Sequence, residues 1–350
     1  MPATPVFDPD LDDVLTALDA ALDSHLDDLV ALATIPSISA DPDHAADVIA
    51  SAEACRDLLR RIGLEDADVV SADGGGPAVV ATWDAARQDA PTELLYAHHE
   101  VQSVGPSWTR PPFDPSIDGE QLYGRGTADD KAGVLVHVAA LAAWRSARGT
   151  PPVNVRVLLE DEKEIESPTL GALLAAEHQR LAADVLPVCD GLNQAAGIPA
   201  LTWSLRGRVN AEVEVSATRT PVHSRVVGGL VRDPLLGLTR MLAGCVDDAG
   251  ENAIAGLADD VHVPTTAEGE RIEALGFDET AFRRNAGVRE SVELRGGERH
   301  PLEMLWLRPA LSIEGLDAPA VDGAASILVE RGRARVRVRL APGQDPERAR

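Results

Sequence analysis

The chain has 350 residues and a formal net charge of −25 at pH 7. This acidity argues against nucleic acid and anionic membranes as partners. A chain of this length with 45% hydrophobic residues exceeds one ordinary core, so we expect two domains. No apolar run approaches the roughly 18 residues that cross a bilayer, which predicts a protein without a membrane partner.

The cysteines are few and widely spaced. Cys55, Cys189 and Cys245 show no paired zinc-binding spacing, and their odd number indicates reduced thiols. The acidic N-terminus, MPATPVFDPDLDDV, lacks the basic and apolar segments of a signal peptide. We therefore expect a cytoplasmic protein.

Helical and extended patterns alternate in the first half of the chain. An amphipathic stripe predicts a helix over about 10–33, and a second helix is expected over about 45–62. Further helices are expected to start near 132 and 170. Short strands are predicted around 68–71, 78–83, 94–97, 153–159 and 184–189. This alternation predicts an α/β sheet, with ligands gathered where its strands end.

Beyond residue 203 the pattern changes to strands with one polar face. Apolar and polar residues alternate over 209–215, and apolar residues alternate strictly with arginines over 331–340. A helix is expected over about 229–245, a strand over 309–315 and weakly periodic structure over 249–299. We predict two domains, 1–203 and 204–350, the second antiparallel and ending just as a helix begins near 345–347.

Metal-binding residue types stand at the ends of predicted strands or at a helix start: His98, Asp129, Glu164 and Asp190. One imidazole nitrogen and three carboxylates suit Zn²⁺, Mn²⁺ or Co²⁺, and a pair of such ions polarises a carbonyl and generates hydroxide. Each residue also has an ordinary explanation, as a loop histidine, a helix N-cap or a solvated acidic turn. The residues alone leave both interpretations open.

Ordered motifs run through the whole chain. They are YAHHEVQ at 96–102, GRGTADDK at 124–131, EIESP at 164–168, VCD at 188–190, HSRVVGG at 223–229 and RLAPGQD at 339–345. Together they resemble the co-catalytic zinc amidohydrolase and exopeptidase family that includes aminoacylase, succinyl-diaminopimelate desuccinylase and carnosinase. The likeness is strongest to the carnosinase-like dipeptidase branch.

The resemblance implies a fold. It is an α/β, zinc exopeptidase-like domain with a central mixed sheet flanked by helices, here residues 1–203. An inserted, smaller α+β domain of ferredoxin-like fold serves as a lid or dimerisation domain, here residues 204–350. By this comparison the fold is incomplete at the C-terminus, and the lid domain is truncated.

The resemblance also implies metal ligands. His98 and Asp190 each bind one zinc ion, and Asp129 bridges the two ions. Glu164 binds the second ion, with manganese or cobalt as alternatives. The implied reaction is metal-dependent hydrolysis of amide bonds in dipeptides or N-acyl amino acids.

Three further residues have implied catalytic roles. Glu100 stands where the family has an aspartate that orients the metal-binding histidine, and the longer side chain keeps the charge. His223 is implied to reach a substrate carbonyl oxygen in the opposite subunit of a homodimer formed through the lid domain. Lys163 occupies the general-base position, where the family has glutamate.

Lys163 is the main departure from the family pattern. An ammonium about 4 Å from a divalent cation is repelled by roughly 8 kcal/mol at an effective dielectric of ~20. Either Lys163 is neutral, or it points away from the site, or it replaces the positive charge of a missing metal. Glu162 is a second candidate base.

Two glycines of the pattern are also replaced, by Glu166 and Arg225. If the glycines provide positive φ, side chains at these positions strain the backbone.

These departures from the family pattern, Lys163 included, leave an alternative to a hydrolase. It is an impaired relative, a pseudoenzyme that keeps the fold and binds a peptide-like ligand or a partner.

Overall fold

The computed structural model describes residues 11–349, apart from 73, 192, 194–196, 199, 203 and 249. The chain divides into two compact units, Met1–Ala200 and Leu201–Arg350. Each unit has its own sheet and its own hydrophobic core.

The first unit contains five α-helices and six strands among its described residues. The helices are α1 (Leu11–Ala33), α2 (Ala45–Arg61), α3 (Lys131–Arg148), α4 (Leu170–Ala176) and α5 (His178–Leu181). The strands are β1 (Asp68–Val70), β2 (Ala78–Trp83), β3 (Thr92–His98), β4 (Ser116–Asp118), β5 (Gln121–Tyr123) and β6 (Asn154–Glu160). Short 3-10 turns lie at Pro42–His44 and Lys163–Ile165.

The central sheet of this unit is mixed and has the order β1-β2-β6-β3. β3 and β6 run parallel, while β1, β2 and β6 pair antiparallel. Because side chains alternate along each strand, one face packs Val79 and Val157 into the core formed with α2 and α3. The other face packs Val80 and Leu158 against α4 and α5. The predicted mixed sheet flanked by helices is confirmed.

The strand predicted over 184–189 is wrong as a continuous strand. The segment runs parallel to β3 through isolated bridges at Val185 and Val188. Leu94 N donates to Val185 O at 2.8 Å, and Tyr96 N donates to Pro187 O at 3.0 Å. Pro187 has no N–H to donate, so a regular ladder cannot form there.

A buried lysine joins the start of α3 to the end of α1. The Lys131 side chain is fully buried, and its Nζ donates to Leu32 O at 2.8 Å and to Ile35 O at 2.7 Å. Carbonyl groups at a helix C-terminus lack partners within the helix, and Lys131 supplies hydrogen bonds to this end of α1.

The second unit has a three-stranded antiparallel sheet of order β7-β11-β9. The strands of this unit are β7 (Gly207–Ser216), β8 (Val222–His223), β9 (Ala310–Asp317), β10 (Ile327–Leu328) and β11 (Arg331–Leu340). β8 and β10 form a separate two-stranded sheet. Its helices are α6 (Ser224–Val227), α7 (Pro234–Ala243), α8 (Thr266–Leu275), α9 (Glu279–Ala286) and α10 (Pro301–Leu307). Leu238 and Leu242 of α7 pack on Ala334 and Val336 of β11, which confirms the predicted alternation of that strand.

The helix expected over 229–245 starts later than predicted. The Asp233 side chain accepts hydrogen bonds from Leu235 N at 2.8 Å and Leu236 N at 3.2 Å, and Pro234 occupies the first turn. An aspartate N-cap followed by proline is a strong start signal, so α7 begins at Pro234. Among the described residues, no helix is both long enough and apolar enough to span a membrane.

Candidate metal centre

His98 is the last residue of β3, and its side chain is fully buried. Its Nδ1 lies 2.7 Å from Glu100 Oε2 and 3.1 Å from the Glu100 carbonyl oxygen. Burial alone lowers the pKa of His98, but hydrogen bonds with Asp129 and Glu100 outweigh it and raise that pKa to about 10. Glu100 thus binds one ring nitrogen and leaves Nε2 for the cluster, as an orienting carboxylate does.

The Nε2 atom of His98 faces two further carboxylates. It lies 3.1 Å from Asp129 Oδ1 and 3.8 Å from Glu164 Oε1. The ligand atoms of these three residues lie within 4.8 Å of one another. The hydrogen bond and charge of His98, with the charge of Lys163, outweigh burial and lower the pKa of Asp129 to about 2.

Glu100 also positions Glu164. Its Oε1 accepts a hydrogen bond from Glu164 N at 2.8 Å, while Gln102 Nε2 donates to Glu164 Oε2 at 3.0 Å. Burial raises the pKa of Glu100, but the hydrogen bond and charge of His98 outweigh it and hold that pKa below its usual range. One buried carboxylate therefore holds two residues of the cluster.

A second group of possible ligands shares His98 and adds Asp130 and Asp190. Asp130 is buried, and its Oδ2 accepts a hydrogen bond from His98 N at 3.1 Å. Burial raises the pKa of Asp130 to about 7 despite that hydrogen bond. Sequence reasoning did not select Asp130. Its place beside Asp129 in the GRGTADDK motif was the available signal.

Gly133 allows the elements around this second group to approach closely. A Cβ added at Gly133 would lie 2.2 Å from Asp130 Oδ1 and 2.4 Å from the Cys189 carbonyl oxygen. The second contact is with backbone, which cannot rotate away. The first turn of α3 therefore needs glycine for the segment before Asp190 to reach the cluster.

Lys163 points into the cluster. Its Nζ lies 3.0 Å from Glu164 Oε1, 3.0 Å from Asp190 Oδ2 and 3.5 Å from Asp129 Oδ1. Burial lowers the pKa of this ammonium, but the three carboxylates outweigh it and raise the pKa above its ordinary value. Of the alternatives left open by the sequence, this geometry favours a charged lysine that replaces positive charge.

The neighbouring Glu162 is engaged elsewhere. Its Oε1 accepts a hydrogen bond from Gly76 N at 3.3 Å, and its Oε2 accepts from Thr169 N at 3.0 Å and Thr169 Oγ1 at 2.7 Å. The carboxylate thus fastens the loop around 76 to the start of α4, which does not suit the role of a second base.

The two replaced glycines differ in their backbone conformation. Glu166 has φ 72° and ψ 25°, a left-handed conformation that favours glycine. Arg225 lies within α6 and is not among the described residues with positive φ. The expected strain therefore applies at Glu166 alone of the two.

His223 belongs to the second unit, where it ends β8 and pairs with Ile327. Its side chain is exposed, and its Nδ1 accepts a hydrogen bond from Arg225 N at 3.1 Å. The first unit brings together His98, Glu100, Asp129, Lys163, Glu164 and Asp190. The role of His223 stays a prediction.

The donor set fits a divalent cation. An oriented imidazole and two carboxylates within 4.8 Å of one another are ligands that zinc, manganese and cobalt accept. Lys163 neutralises part of the acidic charge of Asp129, Glu164 and Asp190.

Comparisons with known proteins match this chain to one peptidase family. The model of peptidase family M20/M25/M40 matches residues 94–335. A cysteinylglycine-S-conjugate dipeptidase of Corynebacterium striatum is 34% identical over 73% of this chain and 55% of its own length. Human β-Ala-His dipeptidase is 30% identical over 72% of this chain and 50% of its own length. This chain thus spans about half the length of these curated relatives.

Solved structures show the same fold. The crystal structure of human carnosine dipeptidase 1 superposes with a TM-score of 0.78 at 27% identity, covering 96% of this chain and 73% of that one. The family match includes the strand that carries His98, the acidic turn at Asp129 and the segments of Glu164 and Asp190. The chain belongs to peptidase family M20/M25/M40.

Proposed function

We propose that this chain carries the metal-binding part of a metal-dependent hydrolase that cleaves the amide bond of dipeptides or N-acyl amino acids. The observation that carries the proposal is the buried His98, which Glu100 holds so that Nε2 faces Asp129 and Glu164. The curated relatives named above are dipeptidases, which supports small peptides as the substrate class.

His98, Asp129 and Glu164 would hold the ion, with zinc as the first expectation and manganese or cobalt as alternatives. A bound divalent ion supplies Lewis-acid chemistry, because it polarises an amide carbonyl and lowers the pKa of water. Glu100 keeps the imidazole oriented, and burial excludes bulk water from it. A charged Lys163 serves as a cation beside the carboxylates and does not accept a proton.

We further propose that His223 contacts a substrate carbonyl oxygen and that the chain forms a homodimer through its second unit. These proposals rest on the HSRVVGG motif alone. Cys55, Cys189 and Cys245 are free in the structure, which supports a reducing, cytoplasmic setting.

A second function is favoured by one observation: the family's general-base position carries Lys163, which is ion-paired to three carboxylates. A relative with a protonated lysine there binds a peptide-like ligand without cleaving it. Under this hypothesis the chain is a pseudoenzyme.

Dipeptide hydrolysis by the purified chain tests both functions. Cys-Gly, β-Ala-His and an N-acyl amino acid are incubated with zinc-loaded protein, with EDTA-treated protein and with the His98→Ala variant. Hydrolysis that needs both metal and His98 supports the first function. Binding of the same dipeptides by calorimetry, without cleavage by the zinc- or manganese-loaded protein, supports the second function and refutes the first.

A further inference from the structure

We propose that the Lys163 ammonium is a resident cation that takes the place of one metal ion, so that the acidic cluster accepts one divalent ion instead of two. The inference deepens the proposed function and rests on it only for the presence of that one ion.

The cluster offers two groups of ligand atoms that share His98. Asp129 and Glu164 belong to the first group, and Asp130 and Asp190 belong to the second. The Lys163 Nζ contacts carboxylates of both groups. It lies 3.0 Å from Glu164 and 3.5 Å from Asp129 in the first group, and 3.0 Å from Asp190 in the second. The ammonium thus bridges the two groups, and a second divalent ion on the same oxygens meets strong repulsion.

The backbone around Lys163 holds its side chain in this position. Ser167 N donates to Glu162 O at 2.8 Å and Glu166 N donates to Lys163 O at 3.1 Å, which closes a tight turn. The Glu162 carboxylate fastens that turn to Thr169. The lysine side chain is only 30% exposed. Lys163 therefore has a defined position in the cluster, unlike a mobile surface lysine.

The single ion is expected in the first group. His98 Nε2 faces Asp129 at 3.1 Å and Glu164 at 3.8 Å, with Nδ1 engaged by Glu100. In the second group, Asp190 Oδ2 contacts Lys163 and Asp130 Oδ2 accepts from His98 N. Lys163 also contacts Asp129 and Glu164, so the preference for the first group rests on His98 Nε2, which faces both of these carboxylates.

Zinc stoichiometry tests the inference. The wild type, Lys163→Met, Lys163→Arg and a control, Arg87→Met, are dialysed to equilibrium against ZnCl₂ and analysed for zinc and protein. Arg87 is an exposed cation of the same unit that pairs with Asp89, so its replacement removes an equal charge away from the cluster. We expect one zinc ion per chain for the wild type, Lys163→Arg and Arg87→Met, and two for Lys163→Met.

Two zinc ions per wild-type chain overturn the inference, and so does a Lys163→Met stoichiometry equal to that of the wild type. Urea unfolding provides a second measurement: in EDTA, Lys163→Met should unfold at lower urea than Arg87→Met, and zinc should remove that difference. Equal midpoints in EDTA also overturn it. Peptide hydrolysis is assayed separately, so a gain of zinc without any hydrolysis supports this inference while the proposed hydrolase function fails.

Discussion

Replacement of Glu100 by glutamine tests how the cluster is held together. The buried Glu100 carboxylate accepts hydrogen bonds from two donors, the His98 ring at 2.7 Å and Glu164 N at 2.8 Å. A glutamine offers one acceptor oxygen and one NH₂ group, so with a proton on His98 Nδ1 one of these donors must face another donor. A hydrogen bond to a charged group contributes about 1.5–3 kcal/mol, and an unpaired buried donor costs a similar amount. We expect Glu100→Gln to lower the free energy of unfolding by about 3 kcal/mol.

The measurement is urea unfolding of the metal-free protein at pH 7, with Glu120→Gln, on the exposed β4–β5 turn, as the isosteric control. Because Glu100 has a lowered pKa, its stabilisation is complete above pH 4.5 and is lost as the pH falls through its folded-state pKa. The difference from wild type should therefore shrink in acid. Zinc affinity, measured by competition with a chelating dye, should fall roughly 10- to 100-fold. Stability and zinc affinity equal to those of the control would refute the orienting role of Glu100.

Two further predictions concern the turn after β6. Burial, with the nearby charges of Glu162 and Glu100, raises the pKa of Asp161 from 3.8 to about 7. The stability that the protonated carboxyl contributes is therefore fully present below pH 3.8 and is lost as the pH rises through 7. Asp161→Asn should raise the free energy of unfolding by up to roughly 4 kcal/mol at pH 8 and very little at pH 4, and an equal gain at both pH values contradicts this. At the left-handed Glu166, Glu166→Gly should be about 1 kcal/mol more stable to urea than Glu166→Ala, because only alanine keeps a Cβ there. Equal stability of these two variants would show that the turn relaxes.

Periodicity was informative wherever one face of an element is buried. The alternation over 331–340 predicted β11 with its bounds, and the stripe over 10–33 predicted α1 closely. It failed over 249–299, where α8 and α9 are short and carry no buried residues. Such helices are defined by caps, such as the Thr265–Glu268 capping box, and less by an apolar face.

At the candidate metal centre, the residues that the sequence selects are those whose position follows from strand and helix ends. His98 ends β3 and Asp129 lies just before α3, so chain topology alone places them near one sheet edge. The directions of Lys163 and Glu162 could not be predicted. They depend on a 3-10 turn whose shape is determined by hydrogen bonds to Gly76 and Thr169, and on Glu166 accepting a left-handed conformation.

The buried Lys131 gives the acidic turn a mechanical link to a remote part of the chain. Lys131 directly follows Asp130, and its ammonium is anchored on the carbonyls of Leu32 and Ile35. One side chain therefore joins the C-terminal end of α1 to the residue beside the cluster. Helix α1 contributes no ligand to the cluster, but its hydrogen bonds with Lys131 hold the start of α3 in place. Disruption of these hydrogen bonds should therefore also disturb the ion-binding geometry.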